Sequence, residues 1–366
     1  MKVLIARSGY SPSGGAEQYL RRLGRGLLES GFDPVLLAHP EWPEEAWPGR
    51  IERIPKNGPV GFARSVETRR ESYPGVPLFS MTRVPAADLY RAGDGVHACW
   101  LQRLADEETP LASSFRRTRR MHRQILALER RMFSKNSDLL VIANSRMVAR
   151  ELTTTYDFPS ERITVIPNGF RADPVSPEKR LHTRRQVRAE LGIPENARVI
   201  VFVGTGWKRK GADLLSEAFR NLSDSDTHLI FVGKGHLEAP VPPRVHLTGP
   251  VPDPKPYLFA ADLFALPTLY DPFSNACLEA AAFGLPVLTT DANGFHEALQ
   301  AFPGAGETVP IPRSASAWTE ALERWLELQR VQSARAPLQN LARAYSFEKN
   351  LTATLEQLTR LVPQRS

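Results

Sequence analysis

The chain has 366 residues, 42% of them apolar and 24% charged, with a net charge of +7. That length favours two domains over one, and the composition is that of a soluble globular protein, which sets aside disordered and fibrous classes. The two cysteines, Cys99 and Cys277, stand far apart and in no metal spacing, so neither a disulfide framework nor a zinc site is expected and a cytoplasmic location fits. Lys2–Arg7 is too short an apolar run for a signal peptide or membrane span. The basic excess favours anionic partners such as a nucleotide, a phospholipid surface, a phosphorylated glycan or nucleic acid.

Lys2–Arg7 reads as a buried parallel strand. A glycine-rich turn carrying Gly14 and Gly15 follows, then a helix with Leu20, Leu23, Leu27 and Leu28 at helical spacing. Gly31 stops it, and Pro34–His39 is the next strand. This is a βαβ unit with a right-handed crossover, and its glycine pair lets the backbone approach a ligand at the carboxyl end of the first strand. Residues 40–76 carry no clear pattern. Val76–Ser80 reads as a strand, and the segment Met81–Trp100 holds Asp94 and His97 as candidates to line a site. Their plainer readings are a turn residue before Gly95 and a packed histidine.

Residues 115–133 hold seven arginines in one expected helix, with Ile125, Leu128, Met132 and Phe133 as its apolar face. The basic face is either simply solvated or meets anionic lipid heads or a phosphorylated acceptor. Nucleic acid is poorly supported, because no binding module is recognisable. Leu139–Ala143 is a strand, Asn144 and Ser145 cap a helix to about Tyr156, and a linker is expected at 168–180.

The second half opens with a short helix at Arg184–Leu191 and the strand Arg198–Gly204, which restarts the alternating pattern. The loop Thr205–Gly211 places Arg209 and Lys210 at that strand's carboxyl end, where a fork and a point charge suit a diphosphate. Ala212–Leu222 is the following helix. His228–Gly233 is the next strand, and Gly233 opens a Gly-Lys-Gly turn suited to border a nucleotide base. Further strands are expected at Val245–Gly249 and Asp262–Pro267.

Leu269–Thr290 reads as turn, helix, strand. Ser274 and Asn275 are good N-cap types, Pro272 fits a first turn, and Gly284 is a stop. The helix start, through Ala276, offers N–H groups and a positive dipole end to a diphosphate or to sugar hydroxyls. Glu279, about one turn in, is placed to hold a ribose diol. The tail 314–362 reads as helical, with Trp318, Leu322, Trp325 and Leu326 as core.

Asp271 and Glu279, seven residues apart, with the flanking Pro-Phe and Leu-Glu-Ala-Ala-Ala-Phe-Gly-Leu-Pro-Val, resemble the donor-site signature of retaining glycosyltransferases of family 4, with Asp271 in place of the commoner Glu. Arg209-Lys210-Gly211, Ala143-Asn144-Ser145 and Val165-Ile166-Pro167-Asn168-Gly169 are typical of the same family, and the resemblance spans nearly the whole chain. The stretch leading to Asp94 is similar to the subgroup of bacterial glucosyltransferases that build the lipopolysaccharide core. The resemblance implies an α/β fold of GT-B type, two doubly wound Rossmann-like domains facing each other across a cleft. Residues 1–168 would form the acceptor side and 169–345 the donor side, with helix 346–366 packing back on the first.

The resemblance also implies transfer of a hexose, glucose by subgroup, from a UDP-sugar with retention. The acceptor would be a saccharide or lipopolysaccharide core at the inner face of the cell membrane. No metal, cofactor or nucleic acid is implied. Arg209 and Lys210 would stabilise the leaving diphosphate and Glu279 the ribose. Gly14, Gly15, Thr205, Gly233, Ser274, Asn275 and Ala276 would position the donor. Asp271 would lie near the hexose, and Asp94 or His97 would meet the acceptor. A GT-B sugar-nucleotide epimerase and a non-catalytic binder of anionic surfaces, using Arg116–Arg131, are the alternatives.

Overall fold

The computed structural model describes residues 1–10, 15–55, 57–107, 119–311 and 314–361. The chain divides into two units, Met1–Pro167 with Glu348–Ser366, and Asn168–Phe347.

The first unit is built on seven parallel strands: β1 (Lys2–Arg7), β2 (Asp33–Ala38), β3 (Arg50–Arg53), β4 (Leu78–Ser80), β5 (Leu89–Arg91), β6 (Leu140–Ala143) and β7 (Ile163–Val165). Their order is β3-β2-β1-β4-β5-β6-β7, so the winding reverses between β1 and β4. Val3, Leu4, Ile5 and Ala6 are all fully buried, the continuous apolar run of a strand covered on both faces. The helices are α1 (Gly15–Glu29), α2 (Gly58–Arg70), α3 (His97–Ala105), α4 (Arg120–Met132) and α5 (Arg146–Tyr156). Leu20, Leu23 and Leu27 make the buried stripe of α1. The Ser145 hydroxyl accepts from Val148 N at 3.2 Å and caps α5.

The second unit has six parallel strands: β8 (Arg198–Val203), β9 (Thr227–Val232), β10 (Val245–Gly249), β11 (Leu263–Leu266), β12 (Val287–Thr290) and β13 (Gly306–Val309). The order β10-β9-β8-β11-β12-β13 is that of a Rossmann sheet, reversing between β8 and β11. Its helices are α6 (Pro177–Glu190), the single turn α7 (Trp207–Lys210), α8 (Ala212–Arg220), α9 (Lys255–Ala260), α10 (Asn275–Ala282), α11 (His296–Ala301), α12 (Ala315–Leu326), α13 (Leu328–Ser333) and α14 (Arg335–Ala344). Trp318, Leu322, Trp325 and Leu326 of α12 are buried, as their spacing predicts.

The last helix, α15 (Phe347–Arg360), returns to the first unit, where Leu358 is fully buried in one core cluster with Val3, Ile5 and Leu20. It comes so close to α1 that a Cβ on Gly26 would lie 2.5 Å from Leu351 Cδ2. No described helix is long and apolar enough to cross a membrane.

Several elements depart from expectation. Residues 40–76 hold β3 and α2, and the segment around Asp94 holds β5 and the start of α3. α6 begins seven residues before Arg184, at Pro177 behind a Ser176 cap. Only Val187 and Arg188 are buried along it, so it shows no apolar stripe to read. β13 was not anticipated, and Pro272 precedes the Ser274 cap instead of opening the helix. The arginine-rich helix is described from Arg120; Arg116 and Arg117 lie outside the described residues.

Candidate active site

The site residues of the second unit gather at the carboxyl ends of β8 and β11, the two strands flanking its topological switch point. After β8 the chain makes the turn α7 between two glycines in the left-handed region, Gly206 (φ 75°) and Gly211 (φ 79°). That turn carries Arg209 and Lys210 on consecutive positions, while Thr205 before it is exposed. The loop after β11 is stitched to it. Arg209 O accepts from Leu269 N at 2.9 Å and from Thr268 Oγ1 at 3.2 Å, and Arg209 Nη1 donates to Tyr270 O at 2.6 Å. Lys210 Nζ donates to the Asp271 carboxylate, in an ion pair whose side chains are 11% and 10% exposed. Two charges this far from water are stable only as partners, since a lone buried charge costs several kcal/mol.

Gly233 sits at the end of β9 with φ 120°, and a Cβ there would lie 2.1 Å from Gly204 O. Only glycine lets the two loops close on each other.

The third edge of this site is the start of α10. Ser274 Oγ accepts from Cys277 N at 3.3 Å. Asn293, wholly buried, accepts from Ser274 N and Phe295 N through Oδ1, both at 3.1 Å, and donates through Nδ2 to Thr289 Oγ1 at 2.9 Å. Asn168 Nδ2 donates to Phe273 O at 3.0 Å and to Asn275 Oδ1 at 2.8 Å. Capping takes up the amides of Ser274 and Cys277. It leaves those of Asn275 and Ala276 without an acceptor among the described residues, at the positive end of the helix. Glu279 is half-buried on the first turns of the same helix. Burial pushes the Cys277 thiol up to about 12, so it is an inert packing group.

Asp94 and His97 belong to the first unit, at the carboxyl end of β5. Asp94 is exposed in the turn before Gly95, with Arg7 Nη1 at 3.9 Å. His97 opens α3, and its Nε2 lies 3.1 Å from His122 Nδ1 on α4. Burial, then the nearby Arg83 and His122, lower the His97 pKa to about 3, so the ring is neutral at physiological pH. Beneath this loop lies Glu129, fully buried, which accepts from Arg83 Nε, His97 N and Tyr156 OH at 2.8, 2.8 and 2.7 Å. Gly15 is the first residue of α1, and Gly14 lies outside the described residues.

Sequence reading thus named the cations, the acid and the helix start that the structure brings together. It missed Thr268, Asn168, Asn293, Arg83, His122 and Glu129. Among the described residues, no group of three or more His, Cys, Asp or Glu side chains could hold a metal ion.

Two switch-point sheets, with cations and a helix start converging at one of them, fit an enzyme of the GT-B glycosyltransferase class. Comparison with known proteins agrees. Residues 13–173 match the family model "Glycosyltransferase Family 4", and residues 197–328 match "Glycosyl transferases group 1". The chain is a glycosyltransferase with the GT-B fold. It is 26% identical to the lipopolysaccharide glucosyltransferase WaaG of Escherichia coli, over 96% of each chain. It is 33% identical to the putative teichuronic acid biosynthesis glycosyltransferase TuaC of Bacillus subtilis, over 51% of this chain and 46% of that one. The crystal structure of WaaG superposes with a TM-score of 0.81 at 22% identity, covering 98% of this chain and 99% of that one. Anabaena HepE in complex with UDP-glucose gives 0.74 at 19% identity, covering 98% and 100%.

Proposed function

We propose that the chain is a retaining hexosyltransferase that moves glucose from UDP-glucose to a saccharide or glycolipid acceptor of the lipopolysaccharide-core type. The observation that carries this reading is the convergence of Arg209, Lys210 and the α10 start at the switch point of the second unit. One guanidinium and one ammonium charge beside aligned backbone amides stabilise the negative charge that grows on a departing nucleoside diphosphate, the largest electrostatic need of such a transfer. The relatedness to WaaG supports the acceptor class, and the UDP-glucose held by the HepE structure supports the donor.

In this reading Glu279 holds the ribose, Thr205 and the glycine loops at 15 and 233 border the donor, and Asp271 lies by the hexose. The acceptor oxygen bonds to the anomeric carbon on the face that the diphosphate leaves, and the acceptor's proton passes to the departing phosphate oxygen. No metal takes part, because the fixed cations supply the charge. Asp94 and the neutral His97 orient the acceptor hydroxyl. Arg119, Arg120 and Arg123, exposed on or beside α4, suit peripheral contact with anionic lipid at the inner membrane face.

A thermal-shift screen against UDP, GDP, ADP and their glucose conjugates tests the donor. UDP stabilises most, and Glu279→Ala removes most of that shift. A preference for GDP would overturn the donor assignment.

A further inference from the structure

The buried face of α4 carries two polar groups, His122 and Glu129, seven residues apart and therefore on the same side of the helix. Neither is exposed beyond 3%. Both point at one short segment, residues 94–98. Glu129 grips its backbone: Oε1 accepts from His97 N at 2.8 Å and Oε2 from Ala98 N at 3.3 Å, which caps the start of α3 from another helix. His122 meets the His97 ring, Nδ1 to Nε2 at 3.1 Å. Arg83 closes the ring of contacts, donating from Nε to Glu129 at 2.8 Å and from Nη2 to Gly95 O at 2.9 Å. Tyr156 OH donates to Glu129 Oε2 at 2.7 Å.

A carboxylate removed from water needs donors on its lone pairs, and here four groups supply them. Such a network specifies one geometry for the turn, because the carboxylate takes His97 N and Ala98 N together while Arg83 holds it in place. A turn before a helix has no need of so costly a support for stability alone; an apolar contact would serve.

We propose that Glu129 and His122 are positioning residues for Asp94 and His97, Glu129 by fixing the backbone of the turn and His122 by fixing the ring orientation and tautomer of His97. This rests on the reading that Asp94 and His97 orient the acceptor.

The test uses the full-length protein with UDP-glucose and a truncated lipopolysaccharide core as the acceptor, alongside UDP titration and 15N spectra of the histidine rings. Glu129→Gln removes one acceptor and points an NH2 at existing donors. It lowers kcat at least about tenfold, a factor that corresponds to about 1.4 kcal/mol, while UDP affinity, which on the proposed reading rests on Arg209, Lys210 and Glu279, stays within about twofold. Tyr156→Phe, which leaves three donor groups in place, keeps most of the activity. His122→Asn changes the His97 ring spectrum from one tautomer to a mixture and lowers kcat without changing UDP affinity.

Wild-type kcat in Glu129→Gln, or equal losses in Glu129→Gln and Tyr156→Phe, would overturn the proposal. So would an unchanged His97 spectrum in His122→Asn, which also decides the matter if Glu129→Gln does not fold. Failure of the underlying reading looks different: Asp94→Asn and His97→Gln would then transfer at the wild-type rate.

Discussion

The buried pair Lys210–Asp271 offers a way to separate stability from ligand binding. Lys210→Met removes the cation and leaves the Asp271 carboxylate, 10% exposed, without its partner. Breaking a buried pair from one side costs about 3–5 kcal/mol. At about 2–4 °C per kcal/mol for a unit of this size, the melting temperature falls by about 6–20 °C. Asp271→Leu strands the Lys210 ammonium in the same way and costs a similar amount. The double variant Lys210→Met with Asp271→Leu removes both charges and fills the space with apolar atoms. It therefore recovers most of the stability lost in Lys210→Met. Urea unfolding of the three variants and the wild type gives the coupling energy. UDP titration of the same four proteins gives the other half: the double variant is stable yet binds UDP no better than Lys210→Met. A Lys210→Met loss below about 1 kcal/mol, the range of an exposed pair, would refute the electrostatic argument. So would recovery of UDP binding in the double variant.

Gly233→Ala forces a Cβ to within 2.1 Å of Gly204 O at a φ of 120°, so the loops after β8 and β9 separate; UDP affinity falls at least about tenfold, read by calorimetry. Leu358→Ala hollows the first unit's core and costs about 2–5 kcal/mol, measured by urea unfolding, with UDP affinity unchanged. The pKa of His97 is lowered from 6.5 to about 3, so its neutral form is favoured by folding. The stability it contributes is fully present above pH 6.5 and is lost as pH falls from there towards 3. His97→Gln flattens that part of the stability–pH curve, and an unchanged slope counts against the shift.

Much of this arrangement was legible in the residues. Alternation of apolar runs with helical spacing gave both doubly wound sheets, and the carboxyl end of β8 marked where the cations Arg209 and Lys210 stand. Arg209, Lys210, Asp271 and Ser274 stood out because charge, or a cap type, followed a buried strand. Glu129 did not, because it lies among arginines on a helix whose outer face is basic, where an acid reads as a solvated counter-charge. Only its spacing from His122 hinted that it faces inwards. Asn293 was equally silent: an amide in a glycine-containing loop looks like a turn residue, and its four hydrogen-bonding directions are used only once β12, α10 and α11 have assembled around it. The helix α6 buries almost no apolar surface, so its Ser176-Pro177 start is the one marker the sequence offers for where it begins.

The bridge between Phe170 and Ser346 has a practical outcome. Phe170 N donates to Tyr345 O at 3.0 Å and Phe347 N to Phe170 O at 3.2 Å, so the polypeptide enters and leaves the second unit through neighbouring positions. That unit is one uninterrupted cassette whose two ends already touch. A gene segment cut at these two codons could be expressed alone, or exchanged for its counterpart from another transferase. Such chimaeras would show which half dictates the choice of sugar.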